Sequence, residues 1–203
     1  MRLFSRLPTV MLFILSLGVA LVSWRFFVTG VEATMEFVAY HAQLRPIAFF
    51  AHVGLAPLAL ALMPFQFQSG LRRRRPTLHR WMGRIYALAI LLSGTGGLVM
   101  AFGTTAGPVA ACGFGFLAVF WLVTTARAVW LAMNRRIAEH RRWMLRSAAL
   151  TFAAVTLRLY LPLSGLTGID FIVAYTAISW LCWVPNLLVI EWWLWRRPTL
   201  LPA

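Results

Sequence analysis

Six long apolar runs, separated by short polar connections, make up almost the whole chain. A helix that crosses a bilayer needs roughly 20 mainly apolar residues, and each run reaches that length. The pattern therefore predicts an all-α fold, a polytopic membrane protein with a bundle of six transmembrane helices. The helices are predicted over residues 8–28, 47–67, 81–102, 108–133, 143–163 and 171–195. They leave no room for a soluble domain, so residues 1–203 are expected to form a single transmembrane domain.

The composition supports this interpretation. Of the 203 residues, 61% are hydrophobic and 12% are charged, and a soluble domain of this length could not cover so large an apolar fraction with polar surface. Cys112 and Cys182 each lie inside an apolar run and form no CxxC pair, which disfavours a disulfide or a zinc site. Both are predicted to be small core residues.

The arginines predict the orientation of the helices. All 19 basic residues are arginine, against five acidic residues, which gives a formal net charge of +14. Arginines crowd the connections 68–80 and 134–142 and flank both chain ends, whereas 103–107 and 164–170 contain none. By the positive-inside rule, the arginine-rich connections and both termini face the cytoplasm. We therefore expect a multi-pass protein of the bacterial inner membrane, with membrane lipids and other membrane subunits as partners, and no nucleic acid.

A short motif occurs twice. Residues 80–84 read Arg-Trp-Met-Gly-Arg and residues 142–146 read Arg-Trp-Met-Leu-Arg, and a histidine precedes each motif, His79 and His140. The motifs suggest a parallel repeat of two helical hairpins. The alternative is that Arg and Trp anchor any helix end at the cytoplasmic interface.

The same stretches carry a family resemblance. Residues 64–67 with 78–86, and residues 140–147 with 155–158, resemble the bacterial membrane-protein family catalogued as domain of unknown function 2306, over about residues 40–195. This resemblance implies a membrane protein and assigns no activity. The architecture is also distantly similar to six-helix b-type cytochromes, which hold two haems between histidines on four consecutive central helices. Because the predicted fourth helix has no histidine, that likeness implies at most one such haem.

Histidines and arginines gather at the predicted cytoplasmic end. Neutral imidazoles can ligate haem iron, so His79 and His140 are candidate haem ligands. The neighbouring arginines are candidates for contacts with haem propionates or, alternatively, with anionic lipid headgroups; they are Arg80, Arg84, Arg142 and Arg146. The sequence leaves the cofactor open, with haem b as the hypothesis to test.

A second polar set is predicted near the external side. It forms an external polar pocket of His52, Arg158, Tyr160, Asp170 and Tyr175, to which the first external connection could add Glu36 and His41. Arg158 lies about fifteen residues into the fifth helix, and a charge at that depth indicates a functional site. Otherwise Arg158 snorkels to the headgroups or pairs with Asp170. Arg127 and Glu191 are predicted to form a structural ion pair.

The residues do not predict a hydrolase. Five acidic residues and four histidines in this distribution form no catalytic triad, carboxylate pair or H-E-x-x-H helix, so no catalytic residue is predicted, while a redox role stays open. The favoured function is a non-catalytic accessory subunit, or a subunit that binds a small molecule or lipid. The alternative is a haem-b-binding membrane electron-transfer protein, which the missing histidine on the fourth helix disfavours.

Overall fold

The fold is a helical bundle. The computed structural model describes residues 7–196, so Arg2, Arg6 and Arg197, on which the orientation of the termini depends, lie outside the described range. A 3₁₀ turn spans Glu36–Val38. The α-helices are α1 (Leu7–Ser23), α2 (Phe26–Thr29), α3 (Val31–Met35), α4 (Tyr40–Leu44), α5 (Pro46–Gln66), α6 (Ser69–Arg74), α7 (Pro76–Phe102), α8 (Pro108–Met133), α9 (Ile137–Thr151), α10 (Ala153–Gly165), α11 (Phe171–Leu181) and α12 (Val184–Arg196).

Within residues 7–196, six stretches are long and apolar enough to cross a membrane, which confirms the predicted number. Spans 1 to 6 are Pro8–Thr29, Pro46–Gln66, Pro76–Phe102, Pro108–Met133, Ile137–Gly165 and Phe171–Arg196. Their outward surfaces are apolar, as in Leu21, Phe102 and Met133, which are 67%, 80% and 77% exposed. Such side chains suit a lipid environment, so the protein is a multi-pass membrane protein.

The bundle has two ends of different character. The connections 67–75 and 134–136 form the arginine-rich end, and the connections 30–45, 103–107 and 166–170 form the arginine-poor end. Connection 30–45 is the longest and contains α3, the 3₁₀ turn and α4. Tyr40 fastens it to the neighbouring connection, because its hydroxyl donates to the Gly103 carbonyl at 3.3 Å and accepts from the Thr105 amide at 3.1 Å.

The helix starts follow from local chemistry. Spans 2, 3 and 4 begin with Pro46, Pro76 and Pro108, and proline suits the first helical position because its missing N–H would have no partner there. The predicted starts at 81 and 143 are too late, since helix already begins at Pro76 and Ile137. The first turns of both helices are polar, and hydropathy alone does not detect them.

Spans 5 and 6 are each broken, which the sequence analysis did not predict. Span 5 breaks at Phe152 between α9 and α10, and span 6 breaks at residues 182–183 between α11 and α12. The Thr156 hydroxyl donates to the Cys182 carbonyl at 2.6 Å. The Asn186 amide donates to the same carbonyl at 3.0 Å and to the Ala149 carbonyl at 3.3 Å. These bonds satisfy carbonyls near the breaks, as an apolar environment requires.

Small residues set the packing between spans. A Cβ on Gly96 would overlap the Ala48 carbonyl, and one on Gly113 would overlap Ser179, so the backbones approach closely, as in other membrane bundles. Cys182 is buried as predicted, but the prediction for Cys112 is wrong because its side chain is exposed. Cys112 lies in a helix that is apolar on all sides, and such a helix has no hydrophobic periodicity that would identify its inner face.

Candidate functional site

The arginine-poor half of the bundle encloses a cavity of about 800 Å³. All six spans contribute to its wall, and residues 34–38 with His41 from connection 30–45 form its roof. Much of the wall is apolar, with Leu60, Leu117 and Leu157 among the lining residues. This combination of an apolar wall and a few polar groups is typical of a small-molecule site.

A network of hydroxyl groups closes the cavity at its deep end, which we call the floor. The Tyr86 hydroxyl lies 2.9 Å from the Ser147 hydroxyl and 2.8 Å from the Thr151 hydroxyl. The Trp121 indole N–H donates to Thr151 at 2.8 Å, and the Thr125 hydroxyl lies 2.7 Å from Ser147. Trp121 and Thr151 line the cavity. Their polar atoms are already bonded within the floor, so this end of the cavity offers mainly apolar surface.

His52 lies on the wall of the cavity with a fixed orientation. Its Nδ1 lies 2.9 Å from the Ser93 carbonyl of span 3. A carbonyl only accepts hydrogen bonds, so Nδ1 carries the proton and Nε2 keeps a lone pair. Gly97 leaves the space for this ring, since a Cβ there would come within 2.8 Å of Nδ1. Close helix packing at Gly96 and Gly97 therefore also accounts for how His52 is held.

Arg158 lines the cavity from α10, and no acidic residue of the described range 7–196 pairs with it. Its Nη1 donates to the Ala154 carbonyl at 3.1 Å. Among residues 7–196 the ion pairs are Arg136 with Glu139 and Arg146 with Glu191, and neither involves Arg158. Insertion scales assign roughly 2.5–3.5 kcal/mol to an arginine at the centre of a membrane helix. A cationic group at this cost points to a function in the cavity.

His41 lies in the roof and is 2% exposed. Its Nδ1 is buried and has no hydrogen-bond partner among the described residues. Burial lowers the pKa of His41 below its ordinary value, and the nearby Arg45 and His52 lower it further. Buried polar atoms normally have a partner, so this nitrogen is a second indication of a ligand.

Aromatic side chains pack where the roof meets span 6. Phe37 of the roof contacts Phe171 and Tyr175, with ring centroids 4.8 Å apart in each case. Phe114 of span 4 lies 5.3 Å from Tyr175. Tyr175 therefore belongs to the cavity, as predicted for the external pocket, and it also holds the roof in place.

Two residues predicted for the external pocket lie elsewhere. Asp170 caps α11, where its carboxylate accepts the amides of Ile172 and Val173 at 2.9 and 3.1 Å. Tyr160 packs against the apolar core, and neither residue lines the cavity. The alternative in which Arg158 pairs with Asp170 is wrong, because this carboxylate caps α11 and forms no ion pair with Arg158.

The histidines of the repeated motif lie together at the arginine-rich end. His79 and His140 approach one another. His140 Nδ1 lies 2.8 Å from the Ala128 carbonyl, and His79 Nδ1 is buried with no partner among residues 7–196. The 800 Å³ cavity does not reach either histidine, so the predicted haem ligands lie outside it. Haem binding by this pair stays a prediction.

Several arginines of this end contact aromatic rings or carboxylates. Arg84 lies over Trp81 and Arg146 over Trp143, each at 4.8 Å from the ring centroid. Exposed Arg80 donates to the Pro76 carbonyl at 3.4 Å, and Arg142 is half-buried.

The predicted ion pair of Arg127 with Glu191 is wrong. Glu191 accepts two bonds from Arg146, at 2.5 and 2.8 Å, because α9 packs against α12 and brings Arg146 to this carboxylate. Arg127 lies instead over the Trp130 ring, at 4.4 Å from its centroid.

Comparison with known proteins places the chain by family alone. The model of a family described as "predicted membrane protein (DUF2306)" matches residues 49–194. The matched stretch includes both arginine motifs and the wall residues His52, Arg158 and Tyr175, and it begins after His41. No curated protein and no solved structure matches the chain.

Proposed function

The chain belongs to the DUF2306 family of predicted membrane proteins, and from that premise we propose that it binds a small amphipathic molecule or lipid inside its bundle, without catalysing a reaction on it. The observation that carries the proposal is the cavity of about 800 Å³. Small-molecule sites in proteins are commonly about 300–1,000 Å³ and mostly apolar, with a few polar groups that orient the ligand. His41, His52 and Arg158 are such groups.

We further propose that the protein resides in the bacterial inner membrane with its arginine-rich end in the cytoplasm. The support is the asymmetry of the connections, because 67–75 and 134–136 contain six arginines whereas 103–107 and 166–170 contain none. In this orientation the roof of the cavity faces the external side. The protein would then act as an accessory subunit that takes its ligand from the outer leaflet or from the external side.

The test is to fill the cavity and look for a lost ligand. Gly18 and Ala56 line it from spans 1 and 2, and a Cβ on Gly18 meets no atom within 4 Å. We expect wild-type protein, purified in mild detergent, to yield a specific bound molecule by native mass spectrometry. In Gly18→Trp and Ala56→Trp its occupancy should fall at least fivefold, because the indole occupies the same space.

Gly54→Trp is the matched control. Gly54 is a helical glycine of span 2 on which a Cβ also meets no atom within 4 Å, but it does not line the cavity. Equal occupancy in the wild type and both cavity variants would refute the proposal. A porphyrin in the wild-type extract would instead support the haem hypothesis, and the loss of that porphyrin from His79→Ala and His140→Ala would assign its ligands.

A further inference from the structure

We infer that the molecule bound in the cavity carries an anionic head group, a carboxylate or a phosphate, on an apolar chain. The inference rests on the proposed binding function and specifies its ligand. Arg158, His52 and His41 would hold the head group near the roof, and the apolar wall between them and the floor would hold the chain.

The charge of the cavity is the first argument. Its lining contains Arg25 and Arg158 but only one carboxylate, Glu36 of the roof. Glu36 forms no ion pair with either arginine. Arg25 is exposed at the end of span 1, where it donates to the Thr34 carbonyl at 3.4 Å. The unbalanced charge therefore lies at Arg158, on a wall enclosed by the bundle.

The hydrogen-bonding capacity of Arg158 is the second argument. A guanidinium has five N–H donors in a fixed planar fork, and the structure shows one bond from it, to the Ala154 carbonyl. That carbonyl belongs to the preceding turn of the same helix, so the bond sets the direction of the side chain and leaves the remaining donors unused. Carboxylate and phosphate oxygens match this fork and can accept two bonds at once.

The two histidines complete the polar end of the site. His52, which lies near Arg158, has Nδ1 bonded to Ser93, which leaves Nε2 to accept a bond from an acidic head group or to take its proton. His41 adds a buried ring nitrogen, Nδ1, that has no hydrogen-bond partner among the described residues. These groups, each with hydrogen-bonding capacity that the described residues do not use, lie on span 2, on α10 and in the roof. They share the lining of one cavity, and a single head group could serve them together.

The opposite end of the cavity suits an apolar chain. Leu60 lies eight residues beyond His52 on span 2, a depth of roughly 12 Å at 1.5 Å per residue. Leu117, Leu150 and Leu157 line the cavity as well. The hydroxyls of the floor are bonded to one another, so a second polar head at this end would find few partners. An amphiphile with one polar head group and one apolar chain therefore matches the two ends of the cavity.

The experiment compares head groups on one chain length. Full-length protein in nanodiscs of phosphatidylcholine is tested for binding of dodecanoate, dodecyl phosphate, dodecanol and dodecylamine. We expect one or both anions to bind at least tenfold more tightly than dodecanol, which corresponds to about one charge-assisted hydrogen bond. The ratio between dodecanoate and dodecyl phosphate identifies which acid the site prefers.

Arg158→Gln should reduce the affinity for the preferred anion to about that for dodecanol. The control is Arg127→Gln, which alters an arginine that lies over the Trp130 ring and does not line the cavity, and it should leave the affinity unchanged. Arg158→Lys keeps the positive charge but lacks the planar set of N–H donors, so its affinity for the anion should lie between those of the wild type and Arg158→Gln. If Arg158→Gln does not fold, Arg158→Lys and the comparison of head groups still test the inference. Without added ligand, Arg158→Gln should melt at the same or a higher temperature than the wild type, because it removes an unpaired cation.

Equal binding of dodecanol and both anions, or tightest binding of dodecylamine, would overturn the inference. If such binding were still lost in Gly18→Trp, the proposed binding function would stand with a neutral or cationic ligand. Binding that survives in Gly18→Trp and Ala56→Trp would refute both the proposed binding function and the inference about the head group. A lower melting temperature for Arg158→Gln, with anion binding unchanged, would show that Arg158 only anchors its helix.

Discussion

Individual arginines differ in how their charge is matched. Arg146 has both a carboxylate, Glu191, and an aromatic ring, Trp143. Arg84 lies over the ring of Trp81. Arg158 donates one hydrogen bond, to the backbone carbonyl of Ala154. In an environment where an unmatched charge is costly, this difference separates residues that tie helices together from a residue available to a ligand.

The pKa of His41 predicts a pH dependence of stability. Because the folded protein lowers this pKa below the ordinary value of 6.5, the unfolded chain takes up the proton first as the pH falls. The contribution of neutral His41 is therefore complete well above pH 6.5 and is lost as the pH falls below it. We expect a lower melting temperature at pH 5.5 than at pH 7.5 in detergent.

His41→Gln should reduce this difference between pH 7.5 and 5.5, since glutamine does not titrate. The groups that oppose protonation of His41, Arg45 and His52, are unchanged in the variant. A pH difference as large in His41→Gln as in the wild type would show that another group, such as His52, causes it.

At the scale of elements, the breaks in spans 5 and 6 shape the cavity. In the arginine-rich half, α9 packs on span 4 and its hydroxyls join the floor. Beyond the break at Phe152, α10 packs on α1 and α11 and carries Arg158 to the wall. The hydrogen bonds of Thr156 and Asn186 hold the two breaks together, so they position Arg158 without contacting it.

We expect Asn186→Leu to destabilise the protein by about 0.6–1.7 kcal/mol, the range measured for hydrogen bonds between membrane helices. The change removes the donor to the Cys182 and Ala149 carbonyls. Unfolding in mixed micelles would measure it. Asn134→Leu is the control, because Asn134 bonds only within its own exposed helix end. Equal effects of the two substitutions would show that the break needs no such donor.

The sequence predicted the elements better than their internal geometry. Length and hydropathy specify the six spans. The breaks were missed because Thr156 and Asn186 look unremarkable in an apolar run, and their role depends on a neighbouring helix. Arg158 and His52 were identified from depth alone. The partners of Asp170 and Glu191 were predicted wrongly, because proximity in sequence or at a helix end does not specify which side chains meet.

At the scale of the whole molecule, charge is distributed unevenly between the two ends. Arginines 72–75 and Arg135 with Arg136 lie at one end, whereas connections 103–107 and 166–170 carry none. Because cytoplasmic connections are enriched in Arg and Lys, we expect reporters inserted at Arg74 or fused after Ala203 to give a cytoplasmic signal. A reporter inserted within 103–107 should give an external one. Paired fluorescent-protein and alkaline-phosphatase fusions measure the side of the membrane on which each position lies. An external signal at Arg74 would contradict the predicted orientation.

The floor also determines how the transmembrane voltage acts on a ligand in the cavity. Tyr86, Ser147 and Thr151 are buried and bonded to one another, so the floor separates the cavity from the arginine-rich end. The transmembrane voltage is worth about 2.3 kcal/mol per charge per 100 mV over a complete crossing. In the proposed orientation, an anion that enters from the roof and stops at Arg158 would cross only the part of this voltage on the external side of Arg158, so its occupancy should respond less to the membrane voltage than that of a site beneath the floor.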